Sequence, residues 1–413
     1  MHILFLSHYF PPETNAPASR TYEHTVRWVR EPDVKVTVIT NHPNHPNGIL
    51  FPGFMNRCLT RESVDGIEVY RVWSYLAANA GFFHRTVNYL VYMFAAVLMA
   101  LRVPKPDVVV ATSPQFFCAV AGYLVSRIKR APFVFELRDI WPESIVTVGA
   151  MRRGLWINWL ESLELFLYHR AAKIIAVTDA FRDYLIGKGI PASRILVIKN
   201  GVDLKFFKPR QASEKLTREL GGQGKFILAY IGTIGMAHAV DKIVAVANLL
   251  RENSKFLFLI VGEGAQKKQI AALINALDLP NIKMLPGVSK DRVRDYYAVA
   301  DLNLVTLKDS PVFRKVLPSK IFEIMAMARP ILGAVDGECR QTIAAAASGV
   351  YVEPENIAQM AEMIESLSGQ ADFLQRLGSN GRRCVEEFFD RDKLAIRYLE
   401  GLRSIARNQH NGA

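Results

Sequence analysis

Short apolar runs alternating with longer amphipathic segments constrain this chain more than any other feature, because that alternation is the mark of strand–helix–strand units laid into a parallel sheet. In the first half the runs fall at residues 3–6, 34–40, 67–73, 108–112, 133–137, 174–177 and 195–198. Several are apolar at every position, as strands covered on both faces require. A polar stretch at 208–224, containing Gly221-Gly222-Gln223-Gly224, interrupts the series. It then restarts at 226–231, 256–261, 282–285, 302–305, 331–334 and 349–352. The pattern predicts two doubly wound, Rossmann-like parallel-sheet α/β domains over 1–205 and 206–388. Residues 389–413 are expected to form a helix at 392–406 that folds back toward the first domain, followed by a tail. No repeat of solenoid period is present.

A chain of 413 residues with 50% hydrophobic residues buries ample core for two domains. Its formal charge of +12 calls for an acidic partner: nucleic acid, anionic lipid or a phosphorylated small molecule, unless it is only a solvated basic surface. The basic residues are dispersed and no nucleic-acid recognition module appears, which argues against nucleic acid. Residues 1–200 carry 22 Lys and Arg against 15 Asp and Glu. Cys58, Cys118, Cys339 and Cys384 lie far apart, without metal-ligand or redox spacing, so no metal site and a reducing compartment are expected. Met1 leads straight into an apolar strand with no leader pattern, consistent with a cytoplasmic protein.

Residues 87–101 are apolar but for Asn88, and shorter than the roughly twenty residues of a spanning helix. Two readings remain open: a buried helix of the first domain, or a helix lying in a membrane interface. The flanks supply Arg85, Tyr89, Phe94 and Arg102 as candidate membrane contacts, with Arg57, Arg61, Arg152 and Arg153 as further cations facing anionic headgroups.

Ligands of doubly wound sheets sit beyond the carboxyl ends of the strands, so the chemistry is sought in the turns that follow them. After the first strand, Asn15, Ala16, Ser19 and Arg20 open a helix whose first-turn amides suit an anion, an ordinary loop being the alternative. In the second domain Gly232-Thr233-Ile234-Gly235 permits close approach of a diphosphate, although paired glycines also serve packing. Pro318-Ser319-Lys320 places a cation in the first turn of an apolar helix, with Glu323 one turn on to accept vicinal ribose hydroxyls. Glu136-Leu137-Arg138-Asp139 crowds ionisable groups beside a buried strand, which means either function or a structural Arg–Glu network.

Taken together, Lys199-Asn200-Gly201-Val202-Asp203, Val261-Gly262-Glu263-Gly264, Leu285-Pro286-Gly287-Val288, Tyr296-Tyr297-Ala298-Val299-Ala300-Asp301 and the 318–326 segment resemble glycosyltransferase family 4 over nearly the whole length. The resemblance implies the GT-B fold, two Rossmann-like domains facing across a cleft, and transfer from a nucleoside diphosphate sugar, UDP-linked, that is a substrate; no cofactor and no metal are implied. Donor contacts are expected from Gly232, Thr233, Gly235, Gly287, Val288, Lys315, Ser319, Lys320 and Glu323. Arg138, Asp139 and Lys320 are the expected catalytic residues, and the Asn15–Arg20 turn an acceptor or phosphate loop.

Ser7-His8-Tyr9-Phe10-Pro11-Pro12 and Arg138-Asp139-Ile140-Trp141-Pro142 are most similar to the subgroup that adds N-acetylfucosamine and related amino sugars in O-antigen and capsule assembly. With the basic first domain, this implies a polyprenyl-diphosphate-linked acceptor and a peripheral enzyme on the inner face of the plasma membrane. The chain departs from the family pattern at Lys315, where the first of two glutamates is usual, at Thr233 and His238, where Arg and Lys are usual, and at Arg138, where many members have His. Lys320, assisted by Arg314 or Lys315, is the expected substitute for the missing diphosphate cations. A nucleotide-sugar 2-epimerase and a non-catalytic membrane scaffold of the same fold are the rival readings. Oligomeric state is not legible.

Overall fold

The computed structural model describes every residue except 46, 77–81, 148–153 and 411–413, so Arg152 and Arg153 lie outside the described residues. The chain divides into two units: Met1–Lys199 with Arg391–Ala413, and Asn200–Asp390. The first break precedes the 205–206 junction read from the sequence.

The first unit runs β1 (His2–Leu6), α1 (Ala16–Trp28), β2 (Lys35–Asn41), β3 (Leu59–Val64), β4 (Ile67–Val72), α2 (Phe82–Ala100), β5 (Val108–Thr112), α3 (Phe116–Lys129), β6 (Phe133–Leu137), α4 (Glu143–Thr147), α5 (Leu155–Arg170), β7 (Lys173–Ala176), α6 (Asp179–Gly187) and β8 (Ile195–Val197). Its eight strands lie in the order β3-β4-β2-β1-β5-β6-β7-β8. All neighbours are parallel except β3, which pairs antiparallel with β4 at the edge. The strand order reverses between β1 and β5, and there the loops after both strands open toward one crevice.

β3 is absent from the sequence reading. Four consecutive residues, Thr60 to Ser63, are polar and no residue of the strand is fully buried, so it carries no buried-strand signature. The Asp65-Gly66 turn was its one signal: both residues have positive φ (49° and 86°), as a tight hairpin of right-twisted strands demands.

In the second unit the order is α7 (Glu214–Glu219), β9 (Phe226–Ile231), α8 (Val240–Leu249), β10 (Phe256–Val261), α9 (Lys267–Ala276), β11 (Ile282–Leu285), α10 (Lys290–Val299), β12 (Leu302–Thr306), α11 (Lys320–Ala326), β13 (Ile331–Ala334), α12 (Glu338–Ala345), β14 (Gly349–Tyr351), α13 (Ile357–Leu367) and α14 (Ala371–Phe388). Its sheet is wholly parallel, in the order β11-β10-β9-β12-β13-β14, with its reversal between β9 and β12.

The final helix, α15 (Arg391–His410), belongs to the first unit and runs past the expected end at 406. It packs on α1: Leu394, Ala395, Tyr398, Leu399 and Leu402 join the core beneath β1, β2 and β5, and the Trp28 indole donates to the Ala395 carbonyl at 2.9 Å. The opposite face of the same sheet is covered by α2, α3 and α5. The reading of residues 87–101 as a buried helix of the first domain holds for one face of α2. Tyr92, Met93, Ala96, Met99 and Ala100 are buried, while Phe94 and Leu98 face outward. Among the described residues no helix is long and apolar enough to cross a membrane.

Candidate functional site

In the second unit the turns after β9, β10 and β11 nest against one another. Ile234 donates to the Glu263 carbonyl at 2.8 Å and Gln266 to the Ile234 carbonyl at 3.0 Å. A side chain at Gly262 would overlap the Gly232 carbonyl, and one at Gly264 the Ile234 backbone, so these glycines allow the turns to meet. Gly287 donates to the Glu263 carboxylate at 3.0 Å, and Lys267 holds the same oxygen at 2.7 Å. Gly287 thus reaches the group through Glu263, whose carboxyl is held below its usual range by Lys267. Val288 follows at the half-buried end of that turn.

Lys320, the first residue of α11, extends back to this nest. Its ammonium lies 3.8 Å from the centre of the Tyr230 ring, and a Cβ on Gly232 would come within 2.8 Å of it. Two segments read separately in the sequence are therefore one site. The Lys320 Nζ atom is buried and has no hydrogen-bond partner among the described residues. Burial pushes its pKa down to about 7. His238 closes the same turn, its Nδ1 also buried without a partner, and burial together with Lys320 pulls it down to about 4. An isolated buried cation costs several kcal/mol in a real protein, and the lowered pKa of Lys320 is that cost expressed as a readier loss of the proton.

One turn along α11, Glu323 accepts from the Tyr297 hydroxyl at 2.9 Å, and burial raises its pKa. Its second oxygen, Oε1, is not engaged by Tyr297. Thr233 is exposed and gives its carbonyl to the Tyr230 hydroxyl at 2.6 Å. Ser319 caps α11 without a side-chain hydrogen bond, and Lys315 closes the 3₁₀ turn Phe313–Lys315. Arg314 departs from expectation: it is exposed and committed to Asp309 at 2.9 Å and Asp336 at 3.4 Å, which removes it as an accessory diphosphate cation.

In the first unit the turns after β1, β5 and β6 converge. Asn15 caps α1, its side chain accepting from Ala18 at 2.9 Å. Arg138 donates to the Ala16 and Pro17 carbonyls at 2.9 and 3.2 Å. The backbone amides of Arg138 and Asp139 both donate to the Ser113 hydroxyl. Burial, with Arg20 nearby, lowers Arg138 to about 10, and burial raises Asp139, whose carboxylate accepts from Ser144 at 3.0 Å. Ser19 is half buried on the first turn of α1.

Arg20 is a correction. It is 4% exposed, paired to Glu136 at 2.9 Å, and bonded to the carbonyls of Ile198 and Lys199. Its fork ties α1 to β6 and β8, so the structural Arg–Glu network describes it and a phosphate contact does not. Arg85 and Tyr89, read as membrane contacts, are half buried: the guanidinium lies over the Tyr89 ring, and that ring packs edge-on against buried His8. Phe94 and Arg102 are exposed.

Glu13 and His45 were not singled out from the sequence, and His8 and Tyr9 entered only through a motif of the family resemblance, without a role. Buried Glu13 accepts from the amides of Asn44 and His45 at 3.0 and 2.9 Å, and burial raises it to about 7. Tyr9 packs against His45 and His8. The signal lay in polar residues crowding the two turns after β1 and β2. Tyr230 of β9 and Tyr297 of α10 were also missed as supports of Lys320 and Glu323; which side chain each hydroxyl or ring meets is set only when β9 and α10 pack beside α11.

Residues 18–201 match the family model described as a glycosyl transferase 4-like domain, and residues 213–384 the model described as glycosyl transferases group 1. The protein named WcaI of Escherichia coli (strain K12), described as a colanic acid biosynthesis glycosyl transferase, is 23% identical over 98% of this chain and 100% of its own length. The alpha-D-kanosaminyltransferase of Streptomyces kanamyceticus is 23% identical over 62% of this chain and 67% of its own. Among solved structures, Alr3699/HepE of Anabaena in complex with UDP-glucose superposes with a TM-score of 0.73 at 18% identity, covering 98% of this chain and 100% of that one. WaaG, a glycosyltransferase involved in lipopolysaccharide biosynthesis, gives 0.66 at 16% identity over 95% and 98%. These likenesses show the fold.

Proposed function

From a chain that is a glycosyltransferase of family 4, with the two parallel-sheet α/β domains of the GT-B fold, we propose that the second unit binds a UDP-linked sugar and that the first accepts a polyprenyl-diphosphate-linked glycan at a membrane surface. The observation that carries the donor reading is the buried Lys320 ammonium over Tyr230, beside Gly232, with no hydrogen-bond partner among the described residues. A diphosphate seated there supplies the missing counter-charge. As the glycosidic bond breaks, negative charge grows on the departing diphosphate, and a preplaced cation stabilises that charge more than the ground state. Glu323, oriented by Tyr297, is suited to accept the ribose hydroxyls. Lys315, at the position of the usual glutamate, favours a deoxy or acetamido sugar such as N-acetylfucosamine.

Relatives support the polysaccharide setting. WcaI is named for colanic acid and TuaH of Bacillus subtilis for teichuronic acid biosynthesis, and HepE is seen with UDP-glucose. In the first unit, Arg138 and Asp139 are proposed to orient the reacting groups beside the Asn15–Ser19 turn, and Arg102 and Phe94 to meet a cytoplasmic membrane face.

The test is to incubate the protein with a panel of UDP-sugars, with and without membranes carrying polyprenyl-diphosphate glycans, following nucleotide release and lipid-linked product. Acceptor-dependent release with a heavier lipid product is expected. A donor epimerised without acceptor would show an isomerase instead, and release indifferent to lipid would refute the acceptor.

A further inference from the structure

At the amino-terminal edge of the first sheet, remote from the turns just described, lies a cavity of about 670 Å³ lined by Arg127, Arg130, His169, Arg170 and Arg194 and by no carboxylate. Phe133, the first residue of β6, forms its floor, whereas Arg138 and Asp139 follow the last residue of that strand. Five residues at about 3.3 Å each separate the two ends, so the cavity is not part of the donor or acceptor turns.

Helix dipoles account for some of this charge. Arg127 ends α3, and His169 and Arg170 end α5, where cations are favoured. They do not account for Arg130, which sits in the left-handed region (φ 53°) normally left to Gly or Asn at a helix end. Nor do they account for Arg194, which comes from a separate 3₁₀ turn and donates to the His169 carbonyl at 3.2 Å. Arg127, Arg170 and Arg194 meet no carboxylate in the wall of the cavity, and like charges gathered in this way repel one another. Their forked donors match phosphate oxygens.

The surroundings identify the phosphate's source. Leu124 and Ile128 share the outward stripe of α3 with Arg127, and are 40% and 50% exposed. On α5, Phe166 lies beneath the Arg170 guanidinium (5.3 Å) and against Tyr123 of the cavity wall (5.3 Å). Further along α5 stand Trp156 and Trp159, 74% and 52% exposed. On the neighbouring α2, Leu98 is 67% exposed, and Lys129 of α3 ties the two helix ends by donating to the Val103 carbonyl at 2.6 Å. An apolar shelf with exposed tryptophans beside a cationic cavity suits the boundary between headgroups and acyl chains.

We propose that this cavity binds the phosphate of an anionic phospholipid, with the outward faces of α2, α3 and α5 lying in the bilayer interface. The proposal rests on the reading of the first unit as membrane-facing, and names the face and the lipid class that hold it there. The lipid is an anchor, not a substrate.

The test uses the full chain and sedimentation with vesicles of phosphatidylcholine alone or with added phosphatidylglycerol. The unaltered protein is expected to bind only the anionic vesicles, and Arg127→Gln with Arg170→Gln to weaken that binding roughly tenfold or more with the melting temperature unchanged. Trp156→Ser with Trp159→Ser, on the shelf alone, should weaken it as well. Unaltered binding by the arginine variant overturns the proposal and leaves membrane association standing, whereas a wild-type chain that ignores every vesicle defeats both. If the tryptophan variant binds normally and millimolar inorganic phosphate displaces the vesicles, the cavity takes free phosphate and the lipid assignment fails.

Discussion

Arg20 of the first unit and Lys320 of the second occupy similar stations: each is a cation in the opening turns of a helix beyond the carboxyl edge of a parallel sheet, and each has a glutamate within reach. Arg20 is satisfied on all sides, by Glu136 and by the carbonyls of Ile198 and Lys199. Lys320 has a ring face beneath it and no hydrogen-bond acceptor among the described residues, and its nearby Glu323 is held by Tyr297. A fully paired buried cation stabilises the fold that pairs it. One left without an acceptor destabilises its fold, and such debts are kept where a ligand settles them.

The sharpest way to break this contrast is to remove each cation. Arg20→Ala leaves Glu136 buried and unpaired, and is expected to cost the first unit about 3–5 kcal/mol in denaturant unfolding. Nucleotide binding should survive wherever that variant remains folded; an unchanged unfolding midpoint would return Arg20 to the list of ligand contacts. Lys320→Ala should act the other way, lowering turnover roughly 10²–10³-fold, about 2.7–4 kcal/mol of transition-state stabilisation. Lys320→Met, equally inactive, should melt a few degrees higher than the unaltered protein without ligand. A turnover within threefold or so of wild type would falsify the diphosphate role.

Next in size is the pH dependence of nucleotide affinity. In the free site burial puts Lys320 near 7, and a bound diphosphate favours the charged amine and raises that value. Binding therefore takes up a proton above neutrality. Affinity should be flat below the free pKa and fall by up to about tenfold per pH unit above it, until the raised pKa of the complex is reached. Calorimetry in buffers of different ionisation enthalpy reads the proton directly, and no uptake at pH 8 would mean that Lys320 does not meet the phosphates. The smallest effect is Tyr297→Phe, which frees Glu323 from its orienting bond and should weaken UDP-sugar binding by about two- to tenfold, the net worth of one hydrogen bond. If UDP-sugar and a 2′-deoxyribose analogue lose equally, Glu323 does not hold the ribose.

Nearly all the strands were readable, because a parallel strand covered on both faces is apolar at most of its positions and so announces itself. β3 escaped because, at the sheet edge and pairing on one side only, it is polar at four consecutive positions, Thr60 to Ser63. The Lys320 and Gly232 segments were each visible, since a cation in a first turn and glycines after a strand have local causes. Their union was not, because it depends on β12 lying beside β9. The cluster of His8, Tyr9, Glu13 and His45 was hidden for the same reason, its members coming from turns after two different strands.

The sequence by itself determined the architecture, two apolar-stranded α/β halves, along with the turns in which chemistry had to be sought. Those follow from burial and backbone geometry, which act over a few residues and leave a periodic trace. Which cation is spent and which is kept was decided only by the tertiary structure. Glu136 lies 116 residues from Arg20 in the chain and reaches it only once β6 is seated beside β5 in the sheet. An ion pair or an empty place beside an ammonium is a property of the neighbours that folding supplies, and no local pattern encodes it.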